Sequence, residues 1–318
     1  MFGGCSPDEL VARLAAGELP PDAEVKELLR RAAAHLKSLP TLVEAEVPVG
    51  ASLHVVGDLH GQLAELVSVL KISGLPVSGR NLLLFNGDFV DRGRQSVEVV
   101  LILFALVLEF ADCVFLNRGN HEARAMNRAY GFEEEVMMKY SRETFEDFQS
   151  AFVQLPLATL VNRCVLVVHG GLPARDGVKL SDLAALPRGG DQLTDIARDL
   201  LWADPAEEDG RPASQRGGGI RLFGPDVTKR FCTDNGLLCC VRSHEVVMRG
   251  FAWQRGRRCL TVFSAANYVG RAGNLGAVCH IRPSADGRVD VADISFTTFD
   301  GAPPRPPVQQ ALAPHSRL

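Results

Sequence analysis

From residue 53 onward, short apolar runs alternate with polar clusters. Residues 53–56, 82–85 and 113–116 are apolar runs of strand length. Between them, Leu63, Leu66, Val67 and Leu70 recur at helical spacing, and residues 97–110 read as a buried helix. This β-α-β-α-β order predicts parallel strands joined by right-handed crossovers. Upstream, residues 1–45 read as a helical lead-in, with Val25, Leu28, Leu29, Ala32 and Leu36 on one face and Asp22 as the cap. Residues 128–155 also read as helical, with Phe132, Val136, Tyr140, Phe145, Phe148 and Phe152 as packing residues. A strand is predicted at 165–168, then surface loops over 187–219 around a helix near 196–201. Runs at 237–241, 260–263, 277–281 and 289–296 read as strands. Few helices separate the last three, which predicts antiparallel or mixed pairing. There is no internal repeat. The expected division is a lead-in over 1–45, one catalytic domain over 46–300, and a disordered tail over 301–318 that carries five prolines.

The polar clusters that follow the strands carry chemistry. They are Gly57-Asp58-Leu59-His60-Gly61, Gly87-Asp88-Phe89-Val90-Asp91-Arg92-Gly93, Arg118-Gly119-Asn120-His121-Glu122, His169-Gly170-Gly171 and Arg242-Ser243-His244-Glu245. Loops beyond the carboxyl ends of parallel strands share one sheet edge, so these residues should converge. Asp-x-His on an extended segment puts Asp58 and His60 on one face, able to chelate one ion. Asp88 can bridge two ions, and Asn120, His169 and His244 complete the second. Mixed imidazole, carboxylate and amide ligands suit manganese, iron or zinc better than calcium. Two such ions, roughly 3.5–4 Å apart, would acidify a bridging water. Direct attack by that hydroxide needs no phosphoenzyme. Two divalent ions, two aspartates and one hydroxide leave a net charge of about +1. Arg92 and Arg216 add to it, and their forked guanidinium groups match the oxygens of a phosphomonoester. A serine or threonine leaving group needs a proton. His121, next to Asn120 and paired with Asp91, is the expected general acid.

Each element also has a plainer reading. A lone Gly-Asp-x-His-Gly can be a turn, and Asp91-Arg92 can be an ion pair ahead of a helix capped by Ser96. Arg216 alone can be a solvated loop arginine. His35 and His315 read as solvated, and His54 and His280 as packing residues within strands. The joint pattern decides between these readings. Of eight histidines, His60, His121, His169 and His244 come directly after strand-like runs.

Composition narrows the function classes. The chain has 318 residues, is 46% hydrophobic and carries a formal charge of −4. With no basic block, nothing points to nucleic acid or a membrane surface. The longest apolar run, 99–108, is well short of the roughly 18 residues a membrane span needs. The eight cysteines include no Cys-x-x-Cys pair and sit mostly inside apolar runs. They read as buried reduced thiols, with the adjacent Cys239 and Cys240 on opposite strand faces. With no secretory signal in the sequence, the expected compartment is cytoplasmic or nuclear. No Cys-x5-Arg stretch and no Gly-Lys pair occur, which excludes a thiolate phosphatase and a P-loop.

On these residues the chain resembles the metal-dependent serine/threonine protein phosphatases of the PPP family, from about residue 53 to 296. Met126-Asn127, Tyr130-Gly131-Phe132-Glu133, the segment 223–229 and Arg242–Val246 look most like the type-5 branch. The resemblance implies an α/β fold, a central β-sandwich of mixed sheets flanked by helices, as in calcineurin-like metallophosphoesterases. It implies two divalent metal ions, manganese foremost, with phosphoserine and phosphothreonine proteins as substrates. Asp58, His60 and Asp88 would hold one ion, and Asp88, Asn120, His169 and His244 the other. Arg92, Asn120, His121, Arg216 and Tyr268 would contact phosphate, with His121 and Asp91 as the acid pair. Type-5 enzymes carry tetratricopeptide repeats ahead of this region, and the sequence has no room for them, so repeat-based regulation is not implied. Two departures stand out. Gly217-Gly218-Gly219 adds one residue after Arg216. The family's S-A-P-N-Y-C becomes Ser264-Ala265-Ala266-Asn267-Tyr268-Val269, which should loosen the loop and removes a thiol that cyclic peptide toxins modify in relatives. Two rival readings are a dinucleoside polyphosphate or small phosphoester hydrolase on the same core, and a non-catalytic phosphoprotein-binding module. The complete ligand set and His121 weigh against the second.

Overall fold

The computed structural model of the chain describes residues 6–301. Two mixed sheets lie face to face. One has the order β1 (Leu42–Ala45), β5 (Ala158–Val161), β6 (Val165–Val168), β7 (Cys239–Arg242), β9 (Cys259–Val262), β8 (Phe251–Trp253). The other has the order β11 (Ile294–Phe299), β10 (Gly276–Ile281), β2 (Ser52–Val56), β3 (Asn81–Phe85), β4 (Val114–Leu116). The predicted parallel rhythm is β2-β3-β4, in the second sheet. β10 runs antiparallel to β2, and β11 antiparallel to β10. In the first sheet β6, β7 and β9 are parallel, with β8 antiparallel at the edge.

Side-chain alternation builds the layers. Leu53 and Val55 of β2 point between the sheets with Leu84, Val167, Val241, Leu260 and Cys279, while Val56 points to the helices outside. Cys239 and Cys240 divide between these layers in the same way, as their adjacency predicts. Helices α1 (Pro7–Ala16), α2 (Asp22–Ser38), α3 (Leu63–Ser73), α4 (Ser96–Glu109), α6 (Phe132–Lys139) and α7 (Arg142–Phe152) share the cluster outside the second sheet, with α5 (Arg124–Tyr130) leading into α6. Helices α8 (Leu180–Ala184), α9 (Asp195–Trp202) and α10 (Pro225–Asp234) cover the first sheet. Twelve of the fourteen residues of α4 are buried, so it is the hub of its layer. Each of its buried aliphatic side chains is worth about 1.5–3 kcal/mol. The charge on Glu98 is met by Lys139 Nζ at 2.6 Å.

Several expectations need correction. The lead-in is two helices followed by β1, and β1 pairs with β5. Asp22 is the first residue of α2 rather than its cap; its carboxylate accepts from Thr144 Oγ1 at 2.5 Å and faces Lys26. Residues 128–155 form parts of three helices, broken at Gly131 (φ 112°) and again where Ser141 caps α7. Ser96 does not cap α4. The Glu135 carboxylate accepts from the N–H groups of Ser96 (3.1 Å) and Val97 (2.8 Å), so the cap comes from another helix. His35 is half-buried, with no partner for its Nε2. β11 begins only at Ile294, after a 3-10 turn at Val291–Asp293. From residue 302 on, the proline-rich tail lies outside the described residues.

Candidate active site

All five polar clusters converge, but not on the edge of a single sheet. Three follow β2, β3 and β4; the other two follow β6 and β7 of the facing sheet. The site therefore lies at one end of the sandwich. Close backbone approach explains the glycines. A Cβ on Gly119 would lie 2.2 Å from Asp88 N, and one on Gly87 would lie 2.4 Å from Gly119 N. Left-handed backbone at non-glycine residues clusters here: His60 (φ 44°), Asp88 (53°), Asp91 (69°), Arg92 (70°) and His244 (70°). Each such residue costs of order 1–3 kcal/mol, so the surroundings must enforce it.

Glu122 does much of that enforcement. Its Oε2 accepts from the N–H groups of Asp88 and Gly119 and its Oε1 from Phe89, all at 2.8 Å. Burial, with the neighbouring Asp88 charge, pushes its carboxyl up to about 7.

The histidine tautomers are set from behind. His60 Nδ1–H donates to Val90 O (2.9 Å), and His169 Nδ1–H to Asn86 O (2.8 Å). Their Nε2 atoms then face inward. His60 Nε2 lies 3.5 Å from Asp88 Oδ2 and 3.6 Å from Asp58 Oδ2. His169 Nε2 lies 3.3 Å from Asp88 Oδ1, 3.2 Å from His244 Nδ1 and 3.0 Å from the Asn120 amide. Two overlapping groups result, His60/Asp88/His121 and Asp88/His169/His244, with Asp88 common to both. Asp58, which accepts from His244 N at 3.0 Å, stands beside the first group.

This donor set fits divalent cations. Without a cation, the Asn120 amide turns its N–H groups to His244 Nδ1 (2.8 Å) and His169 Nε2 (3.0 Å); the imidazole and carboxylate lone pairs left facing one another are relieved by protons or cations. Burial pushes the His169 imidazole down, but the charges of Asp88 and Asp58 outweigh it and raise it to about 9. Buried surroundings and the positive charge beside His244 push that ring well below its ordinary value, which suits a neutral ligand.

The His121–Asp91 pair lies beside these groups. His121 Nδ1 is 2.7 Å from Asp91 Oδ2, and Asp91 also accepts from Asn127 Nδ2 (3.0 Å) and Phe132 N (3.0 Å). A cavity of about 360 Å³ opens over Asp58, His60, Asp88, Asn120, His121 and His244, with Arg92, Arg216, Trp202, Tyr130 and Tyr268 around it. His169 and Asp91 stand behind its wall. Arg92 stacks 3.7 Å over the Tyr130 ring. Tyr268 lies 5.1 Å from the His60 ring; burial holds its phenol well above the ordinary range, so it remains a donor. Arg216 is tied to Asp204 (Nε–Oδ2 2.5 Å, Nη2–Oδ1 3.2 Å) and to His244 O (3.3 Å). Asp204 is held in turn by the fully buried Arg242 at 2.7 Å. Neither Asp204 nor Glu122 was assigned a role from the sequence. Glu122 had a signal, as the last residue of the cluster Arg118–Glu122; Asp204 had none, since it lies in a stretch read as surface loop.

The loop expected to loosen is tied down. Asn274 Nδ2 donates to Ala265 O, and its Oδ1 accepts from Tyr268 N. Gln62 Nε2 donates to Ala266 O, and Ala266 N donates to Ser264 O, a bond proline would lack. Val269 is held at φ 51°, costly for a β-branched residue.

Residues 51–248 match the model of the calcineurin-like phosphoesterase family. The chain belongs to that family. It is 45% identical over 263 residues to serine/threonine-protein phosphatase 5 of Homo sapiens, which covers 82% of this chain and 51% of the relative. It is 40% identical over 299 residues to serine/threonine-protein phosphatase T of Schizosaccharomyces pombe, which covers 93% of this chain and 61% of the relative. The chain thus spans about half the length of the curated relatives it matches. Among solved structures of this calcineurin-like phosphoesterase fold, a protein serine/threonine phosphatase from Saccharomyces cerevisiae with similarity to human phosphatase PP5 superposes with a TM-score of 0.88. That pair is 38% identical and covers 95% of this chain and 98% of the other. Among the described residues, no helix is long and apolar enough to cross a membrane.

Proposed function

We propose that the chain is a protein serine/threonine phosphatase, acting on phosphoserine and phosphothreonine with two divalent metal ions. The observation that carries this reading is the His121–Asp91 pair at 2.7 Å, beside two overlapping ligand groups that share Asp88. Asp58, His60 and Asp88 would hold one ion; Asp88, Asn120, His169 and His244 would hold the other. Manganese suits this set, as do iron and zinc. When bound, the ions supply positive charge against the phosphate and acidify a water nucleophile.

The chain's own groups do the rest. Arg92, Arg216, Asn120 and Tyr268 bind and orient the phosphate oxygens. Asp91 accepts from His121 Nδ1–H, which turns Nε2 to the cavity; the acid is the imidazolium, with its second proton on Nε2. As water attacks phosphorus and the ester P–O bond breaks, His121 Nε2–H gives its proton to the departing serine or threonine oxygen. The products are phosphate and the free hydroxyl. Residues 46–300 form the catalytic unit. The free buried thiols, Cys113, Cys239, Cys240, Cys259 and Cys279 among them, support a reducing compartment, cytoplasmic or nuclear. The test is to chelate the protein, add back each metal, and assay a phosphopeptide against diadenosine tetraphosphate. Metal-dependent phosphopeptide hydrolysis is expected, and a strong preference for the dinucleotide would overturn the reading.

A further inference from the structure

A second cavity, of about 590 Å³, adjoins the active site, and Arg92 lines both. Its walls come from α3, from residues 92–95 and from the 266–270 loop. Ala266 and Val269 both line it. Lys71, Arg92 and Arg94 also face it, all exposed. Among the described residues, none of these three cations pairs with a carboxylate; Arg92 instead stacks on Tyr130. Among the described residues Glu65 is the one carboxylate in the wall, and it is buried. Three cations against one buried carboxylate leave the groove positive, and a phosphate held by Arg92 would stand at its mouth.

We propose that this groove is a specificity subsite for an anionic side chain close in sequence to the phosphoresidue, with Arg94 and Lys71 as its recognition groups. The inference rests on the phosphatase reading above. An extended peptide anchored by its phosphate at Arg92 presents neighbouring residues to the groove. There a carboxylate or a second phosphate meets unpaired cations, and a neutral or basic side chain gains nothing. The ligand chemistry is anionic, and its two sources are Asp or Glu and phosphoserine.

The experiment measures kcat/KM on three sets of phosphothreonine peptides. In these, residues within three positions on either side are alanine, aspartate or phosphoserine. The intact protein, R94E, K71E and the conservative variant R94K are compared. We expect the intact protein to favour both anionic sets about five- to tenfold, as a few partly exposed ion pairs allow. We expect R94E and K71E to abolish the preference while leaving the alanine peptides unchanged, and R94K to retain most of it. Loss of the aspartate preference alone would assign the groove to phosphate. Equal rates on all three sets, or a preference that survives both charge reversals, would overturn the subsite and leave the phosphatase reading intact. Hydrolysis of no peptide would overturn the phosphatase reading, and the subsite with it.

Discussion

His121 Nδ1 meets Asp91 Oδ2 at 2.7 Å, and every other bond to the Asp91 carboxylate comes from a donor, Asn127 Nδ2 or Phe132 N. Asp91 can therefore only accept. Asp91→Asn places an NH2 against one of these donors, which tilts the imidazole. His121→Asn removes the acid outright. We expect kcat to fall about 10²–10⁴-fold for His121→Asn and less for Asp91→Asn, with KM within a few-fold. Metal content should stay at two ions per chain in both. Steady-state kinetics with elemental analysis checks this; full activity in His121→Asn would remove it from the acid role.

Glu122 holds Asp88 in its left-handed backbone through three N–H bonds at 2.8 Å. Glu122→Gln turns one acceptor into a donor, leaving at least one buried N–H facing an NH2. The expected cost is about 1–3 kcal/mol of stability. A loosened Asp88 should also weaken metal binding, by roughly 10–100-fold. Thermal unfolding and a chelator competition read the two effects separately. Unchanged affinity would confine Glu122 to a structural part.

Asp204 stands between two arginines, one facing the cavity and one fully buried. Asp204→Ala leaves the buried Arg242 with Glu245, at 2.9 Å, as its remaining carboxylate, so the cost should fall below the roughly 3–5 kcal/mol of a fully unpaired buried charge. Asp204→Asn keeps the shape and one acceptor. It should fold, but with Arg216 less well aimed, so KM for phosphopeptide should rise several-fold. An unaltered KM would mean that Arg216 finds its position without Asp204.

The strands and the convergence of the five clusters were legible because each cluster is contiguous with an apolar run, so local sequence carries both. Asp58, Asp88, Asn120, His169 and His244 all lie within four residues of a strand end. Groups acting across the fold were not legible. Glu122 serves the β3 loop from the β4 loop, Glu135 caps α4 from α6, and Asp204 bridges Arg216 and Arg242, none at a fixed spacing. β1, β5 and β8 are short strands, and none of them leads into one of the five polar clusters that marked other strand ends. Assigning the clusters to one sheet failed for a related reason. Parallel βαβ order reveals neighbours within a unit, but not that residues 158–168 return in a facing sheet.

The strand histidines, His54 and His280, pack as expected, but they also form a hydrogen-bonded chain. Asn81 Nδ2 donates to Ser73 O and Leu75 O, which fixes Oδ1 as the acceptor for His54 Nε2–H at 2.7 Å. His54 Nδ1 must then accept from His280 Nδ1–H at 2.6 Å, and His280 Nε2 accepts from Thr297 Oγ1–H at 2.8 Å. A further proton on His54 sets N–H against N–H. Burial pushes both rings below their ordinary value, His280 to about 4, and Arg282 adds to the effect. As pH falls through about 6.5, the unfolded chain takes up protons that the folded chain refuses. The stabilisation is therefore full above that pH and is lost progressively down to about 4. With solvent screening from the Arg282 side, the loss should be about 1–2 kcal/mol. Urea unfolding at pH 7.5 and 5.0 checks this against His280→Gln, where the second titrating ring is gone. The variant should be less stable at pH 7.5 and lose less on acidification, and an identical pH slope in the two proteins would show that the pair does not set it.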